Sequence, residues 1–257
     1  MQTAALATVR LFTMRIDVYL AEKGDVSSRT EAKRFIDEGA VFVNGKQVMK
    51  PSYDVDGSEN ISIDKSVKEF VSRGGLKLKG ALSEFGVNPK DRLCLDVGAS
   101  CGGFTDCLLK NGAAHVIAVD SGSGQLADSL RHDDRVTVLE NYNARYMRAE
   151  DFEYSPELAV MDVSFISATY IIRGIYDVLS EGGEFICLIK PQFEVGRSAI
   201  GKGGIVKDSK ARDLAVKKVV EFAASVGFSV KGTVQSSIKG GDGNIEFLAH
   251  FVKVKGV

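Results

Sequence analysis

Two lysines and two carboxylates stand at places in this chain where separated segments could bring them together. Lys77 lies in Ser72-Arg73-Gly74-Gly75-Leu76-Lys77-Leu78. Asp162 follows the apolar run Leu158-Ala159-Val160-Met161, and Lys190 follows Phe185-Ile186-Cys187-Leu188-Ile189. Glu246 sits at the start of an alternating run from Ile245 to Phe251. Between the first two lies a glycine turn, Leu95-Asp96-Val97-Gly98-Ala99-Ser100-Cys101-Gly102-Gly103-Phe104. Such a set can hold a hydroxyl, stabilise its oxygen as the proton leaves, and align it with an electrophile. The turn supplies the place for a nucleoside-containing cofactor.

Gly98, Gly102 and Gly103 let the backbone pass close to a ligand and open a helix with free N–H groups. Their spacing is not the G-x-G-x-x-G of a dinucleotide fingerprint, so no pyrophosphate cradle is implied. Asp120, at the end of the next strand, can hold a ribose diol. Gly196-Arg197-Ser198-Ala199-Ile200-Gly201-Lys202 imitates a phosphate loop, but Gly203 stands where Ser or Thr should hold magnesium. Arg197, Lys202 and Lys207 read instead as a basic loop for RNA phosphate, or as a solvated loop without a role.

These positions need a scaffold. From Gly75 the chain alternates helix and strand. Strands are expected at 92–97, 115–120, 136–140, 158–163, 184–190, 228–234 and 245–254. Helices are expected at 75–85, from 104 to 110, through Leu130, at 166–179 and at 209–226. The alternation calls for an α/β fold: a mostly parallel seven-stranded sheet covered on both faces. A ten-residue loop without a helix joins the last two strands, so the last strand is antiparallel. Ligands bind at the carboxyl ends of parallel strands in such sheets. Gly98, Asp162, Lys190 and Glu246 all fall on that rim. A single charged residue at a strand end commonly just reaches solvent, but a convergent set beside a glycine turn points to function.

Residues 14–64 read as a separate small α+β module. Ser28-Arg29-Thr30-Glu31 is a capping box, Gly39 a helix C-cap, and Asn44-Gly45 a hairpin turn. This module holds 7 basic and 10 acidic residues, net −3, so bulk charge does not mark it as an RNA binder. Only local clustering does: Arg29 and Lys33 lie one helical turn apart, with Lys46 on the hairpin tip and Arg15 nearby. Residues 65–72 read as a linker and 73–257 as the larger domain. Residues 1–13 lack acidic side chains, early positive charge and a long apolar stretch, and read as a disordered leader. The whole chain carries 33 basic and 34 acidic residues, which argues neither for nor against nucleic acid. Cys94, Cys101, Cys107 and Cys187 form no CxxC pair and have no histidine at ligand spacing, so reduced thiols and no metal site are expected. No apolar run reaches the roughly 20 residues of a membrane span.

The module resembles the alpha-L RNA-binding domain of a ribosomal small-subunit protein through Arg15-Ile16-Asp17, Ser28-Arg29-Thr30-Glu31-Ala32 and Gly39-Ala40-Val41-Phe42-Val43-Asn44-Gly45. Val71 to Lys77, Leu95 to Ser100, Asp162 to Ser167, Lys190-Pro191-Gln192-Phe193-Glu194 and Gly201 to Val206 resemble FtsJ-like ribose methyltransferases. The combination is similar to the TlyA family, also labelled hemolysin A. The resemblance implies a Rossmann-like domain, S-adenosylmethionine as cofactor, and 2′-O-methylation of ribosomal RNA in a cytoplasmic protein. It implies a catalytic tetrad of Lys77, Asp162, Lys190 and Glu246, each removable without loss of folding. Asp96, Gly98, Ala99, Ser100, Gly102, Gly103 and Phe104 are then expected at the methionine end of the cofactor, Asp120 at its ribose, and Asn143 and Ala144 at the adenine. Arg15, Arg29, Lys33, Lys46, Arg197 and Lys202 are expected on RNA. The partners implied are ribosomal RNA or ribosomal subunits, with no membrane and no obligate protein partner. Lys190 is the group nearest in role to the reacting oxygen. A free lysine titrates near ~10.4, so it acts either as a base after losing its proton or as a cation stabilising the alkoxide. Two alternatives stand beside this reading: an RNA pseudouridine synthase with the same module, and a membrane-damaging protein.

Overall fold

The computed structural model describes residues 13–26, 28–37, 39–64 and 69–254. Of the expected leader only Thr13, and of the expected linker only residues 69–72, fall among them. The chain divides into two compact units, residues 1–67 and 68–257.

The first unit runs β1 (Met14–Arg15), α1 (Ile16–Glu22), α2 (Arg29–Asp37), β2 (Val41–Val43), β3 (Lys46–Gln47), β4 (Asp54–Val55) and β5 (Ile61–Ile63). The Ser28 hydroxyl accepts the Glu31 N–H at 3.1 Å and opens α2. Gly39, at φ +66°, ends the helix where a side chain would be strained. Asn44 and Gly45, at φ +50° and +76°, turn β2 onto β3, the geometry of a two-residue hairpin. Ile16, Leu20, Phe35, Ile36 and Val41 are buried between the helices and strands. The two-residue pairing of β1 with β4 is too short to leave an alternation in the sequence.

The second unit begins with α3 (Gly74–Phe85), β6 (Leu93–Val97), α4 (Gly103–Lys110), β7 (His115–Val119), α5 (Asp128–Arg131) and β8 (Val136–Leu139). It continues with β9 (Leu158–Met161), α6 (Thr169–Val178), β10 (Glu184–Ile189), α7 (Pro191–Glu194), α8 (Ser209–Val226), β11 (Phe228–Gln235) and β12 (Phe247–Lys253). Its seven strands stand in the order β11-β12-β10-β9-β6-β7-β8. β12 is antiparallel to both neighbours, and the β6–β10 pairings are parallel. One apolar cluster covers each face. Phe185, Ile172, Val219 and Phe251 belong to one, and Leu78, Leu108, Leu158 and Leu188 to the other. Each such side chain contributes about 1.5–3 kcal/mol on burial, which fixes the strands that carry the rim.

Two helices depart from their expected bounds. The helix expected up to Leu130 is reduced to four residues, because Gly122 and Gly124 favour an open loop over residues 121–127. The helix expected from Ile166 starts at Thr169. Phe165 is held at φ +65°, outside the helical region, and Glu194 takes the Ala168 N–H at 2.7 Å as the helix begins. Among the described residues no helix is long and apolar enough to cross a membrane.

Candidate active site

The strand register brings the charged residues to one edge. Val97 of β6 pairs with Met161 of β9, and Met161 with Cys187 of β10. Gly98 and Asp162 therefore follow directly on paired residues. β10 runs two residues further, and its Ile189 pairs with Phe247 of β12. Lys190 and Glu246 are the next residues outward on those two strands.

The four form two ion pairs. Lys190 Nζ lies 2.5 Å from Asp162 Oδ1, with both side chains mostly buried, and donates an aligned hydrogen bond to Ser164 Oγ at 2.8 Å. Asp162 Oδ1 has no hydrogen bond of good geometry despite that closeness. Lys77, on α3, reaches Glu246 Oε2 at 2.6 Å, and both side chains are nearly inaccessible to water. A Cβ at Gly240 would stand 2.4 Å from Glu246 Oε1, so glycine there leaves room for the carboxylate. Ser164 and Gly240 were not singled out from the sequence. Ser164 directly follows Asp162 and Val163, a position that could have drawn notice.

A cavity of about 490 Å³ opens beside the Asp162 pair, within the size range of small-ligand sites. Gly98, Ser100, Asp120, Asn143 and Ala144 line it, as does Asp162. Val163, Ile166, Ile171 and Tyr142 give it an apolar wall, and Ser121, Gln125, Ser164 and Phe165 complete its polar and outer parts. None of these eight was singled out as a cofactor residue. The donor set suits a nucleoside carrying an amino-acid tail. Asp120 accepts the Ser100 N–H through Oδ2 and the Gly122 N–H through Oδ1, each at 2.7 Å. A carboxylate has about four acceptor positions, so capacity remains for a diol. Asn143 Oδ1 accepts the Arg145 N–H, which leaves its amide nitrogen as a donor.

The other expected cofactor residues lie outside the cavity wall. Asp96, Ala99, Gly103 and Phe104 are buried, and Gly102 is covered by leucines. A Cβ on Gly102 would meet Leu130 at 2.3 Å, and one on Gly103 would meet Ser72 Oγ at 2.1 Å. These two glycines permit close packing of chain on chain: α4 starts against the segment that opens α3 and carries Lys77 inward. Gly98, at φ +85°, has its α-carbon against the next strand, where a Cβ would meet the Asp162 carbonyl at 2.5 Å. Asp96 accepts the Thr105 hydroxyl at 2.6 Å through Oδ2, while Oδ1 has no partner. Burial pushes its carboxyl up, the Thr105 bond opposes, and the Asp162 carboxylate adds to the rise, to about 7.

The expected RNA contacts divide. In the first unit, fully buried Asp17 accepts Arg29 Nε at 2.8 Å and Arg15 Nε at 2.9 Å. Burial alone would raise the Asp17 carboxyl, but the two guanidiniums hold it down at about 2. Arg15 and Arg29 are thus partly neutralised, whereas Lys33 and Lys46 are exposed and make no ion pair among the described residues. In the second unit Arg197 and Lys202 are exposed on two short 3-10 turns. Buried Asn244 ties that loop to the segment leading into Glu246: its Oδ1 accepts the Val206 N–H and its amide donates to the Gly204 carbonyl, each at 3.0 Å.

Residues 70–253 match the FtsJ-like methyltransferase family, and residues 14–61 match the S4 domain. The chain belongs to the TlyA family of FtsJ-like methyltransferases. It is 41% identical over 234 residues to the 16S/23S rRNA (cytidine-2′-O)-methyltransferase TlyA of Mycobacterium tuberculosis, covering 91% of this chain and 87% of that one. It is 42% identical over 240 residues to hemolysin A of Brachyspira hyodysenteriae, covering 93% and 100%. A solved structure from Streptococcus thermophilus that carries the name hemolysin aligns with TM-score 0.75 and 44% identity, over 95% of this chain and 90% of that one. Membership of the TlyA family replaces the pseudouridine synthase alternative.

Proposed function

We propose that this protein transfers a methyl group from S-adenosylmethionine to a ribose 2′-hydroxyl of ribosomal RNA, in the cytoplasm. One observation carries the reading: two ion pairs, Lys190–Asp162 and Lys77–Glu246, stand on the strand rim, the first beside a nucleoside-sized cavity. The TlyA of Mycobacterium tuberculosis, 41% identical, is named for this reaction on cytidine. In this reading residues 14–64 are the RNA-binding module and 73–257 the catalytic domain.

S-adenosylmethionine, when bound, supplies an electrophilic methyl on a sulfonium. Asp120 would hold its ribose, Ser100 and Gly98 the turn above it, and Asn143 and Ala144 the adenine side. The chain's own groups then act on the RNA. The Lys190 ammonium, held by Asp162, donates a hydrogen bond to the ribose oxygen and stabilises it as its proton leaves to water. With the cofactor bound, O2′ would take its methyl carbon, and the electron pair of the carbon–sulfur bond would stay on sulfur. Lys77 and Glu246 would brace the same rim from beneath, as a buried pair. Much of the rate comes from alignment of oxygen, carbon and sulfur. Lys33, Lys46, Arg197 and Lys202 would contact phosphate.

Methyl mapping of ribosomal RNA from cells with and without the gene tests this reading. A ribose methyl present only with the gene, and restored by purified protein with S-adenosylmethionine in vitro, is expected. An unchanged methylation map together with no transfer in vitro overturns it. The membrane-damaging alternative has no supporting observation in the described residues.

A further inference from the structure

A lysine ammonium carries three N–H bonds in a fixed tetrahedral set. One aligned acceptor stops that set from turning about the Cε–Nζ bond. For Lys190 that acceptor is Ser164 Oγ at 2.8 Å, while Asp162 Oδ1, at 2.5 Å, is its charge partner without an aligned hydrogen bond. With that direction taken, the other two are set as well, and one of them is left for an incoming hydroxyl.

Ser164 is exposed, yet its place is not left to its own side chain. The loop after β9 and the turn after β10 are clasped at three points. Lys190 meets Ser164. The rings of Phe165 and Phe193 lie 5.3 Å apart. The buried carboxylate of Glu194 accepts Ser167 Oγ at 2.6 Å and the Ala168 N–H at 2.7 Å, and is itself paired with Lys218 Nζ at 3.0 Å. The left-handed backbone of Phe165, φ +65°, costs conformational energy that these contacts must sustain. A bulky residue in that region is uncommon.

We propose that Ser164 is a positioning residue for methyl transfer: its hydroxyl fixes the rotation of the Lys190 ammonium beside Asp162, so that a free N–H bond meets the ribose oxygen. The inference rests on the reading of Lys190 given above. It assigns Ser164 no contact with the reacting atoms. Glu194 acts one step further back, by holding the loop that presents Ser164.

The test uses the full chain, ribosomal RNA and S-adenosylmethionine. Single-turnover rates are measured at saturating cofactor and RNA, and cofactor affinity by calorimetry. Ser164→Ala is expected to slow transfer about tenfold, less than the ~10²-fold loss of a misplaced reacting group, with cofactor affinity within about twofold. Ser164→Thr keeps the hydroxyl and is expected to return the rate to within about threefold of the native value. Three outcomes overturn the proposal: an unchanged rate for Ser164→Ala, a loss confined to cofactor affinity, or equal slowing by alanine and threonine. Lys190→Ala is measured in parallel. If that variant is active, the reading of Lys190 falls and the inference with it. If it is inactive while Ser164→Ala is fully active, the inference on Ser164 fails alone.

Discussion

Lys77 and Glu246, 169 positions apart, meet at 2.6 Å in the interior of the second unit. The Lys77 side chain is 10% exposed and that of Glu246 2%. A pair so enclosed cannot lose one member cheaply, because the other is left as an uncompensated buried charge. The expectation that any of the four rim residues can be removed without loss of folding therefore does not extend to this pair.

Glu246→Ala and Lys77→Ala are each expected to destabilise the protein by about 3–5 kcal/mol, whereas the combined Lys77→Met, Glu246→Leu variant recovers most of that loss. Urea denaturation followed by circular dichroism measures all three. Similar stability of the single and double variants would show that the charges are not coupled. The double variant should still be inactive.

Lys190 is about as enclosed as Lys77, but its partner Asp162 is 21% exposed and lines the cavity, against 2% for Glu246. Lys190→Ala is expected to fold, bind cofactor and lose about 10²-fold or more in single-turnover methylation. Lys190→Arg keeps the charge but replaces a compact tetrahedral donor with a planar fork, and should recover little. Near-native rates for the alanine variant would remove Lys190 from the mechanism. Full activity for the arginine variant would leave charge, rather than donor geometry, as what matters.

Asp96 makes stability fall with rising pH. Its carboxyl titrates at about 7 when folded, against an ordinary value of 3.8. Between those values the folded state keeps a proton that the unfolded state has lost, so stability declines as pH rises through the window. Asn cannot titrate and can still accept the Thr105 hydroxyl. Melting temperatures of Asp96→Asn and the native protein should diverge from about pH 4 to 7, with the variant increasingly favoured and the gap constant above. A constant gap across the whole range would contradict the assignment.

Asp17 has the opposite sign. Its carboxyl sits at about 2 when folded, so its contribution is full above pH 4 and disappears as pH falls toward 2. Arg29→Ala should lower the stability of the first unit as well as RNA affinity, because Asp17 loses a partner. Lys33→Ala with Lys46→Ala should lower affinity alone, and reduce the salt slope by about 0.7–0.9 for each phosphate no longer neutralised. Filter binding across a salt series, beside thermal melts, separates the two. Equal stability losses from both sets would remove the distinction.

Local chemistry was readable from the residues. Ser28, Gly39 and Asn44-Gly45 each act through neighbours a few positions away, so their roles survive in sequence alone. Strand ends were readable too, which put Gly98, Asp162, Lys190 and Glu246 on one rim. What the chain order does not contain is partnership. Nothing in it says that Lys77 takes Glu246 while Lys190 takes Asp162, since each pairing is made by packing across the sheet. Gly102 and Gly103 were read for ligand approach, and packing against Leu130 and Ser72 demands the same missing side chain. Ser164 and Phe165 stand beside Asp162 in the sequence, but their roles do not show there, because a left-handed phenylalanine contradicts its own propensity and is held by distant Phe193 and Glu194.

The insertion of β12 between β10 and β11 has a kinetic consequence. Both neighbours precede it in the chain, so the sheet cannot be completed until residues 247–253 have emerged from the ribosome and threaded into place. Closing a contact across 169 residues is slow relative to local folding. Until then Lys77 waits without its counter-ion. Catalytic competence therefore has to wait for β12 to enter the sheet.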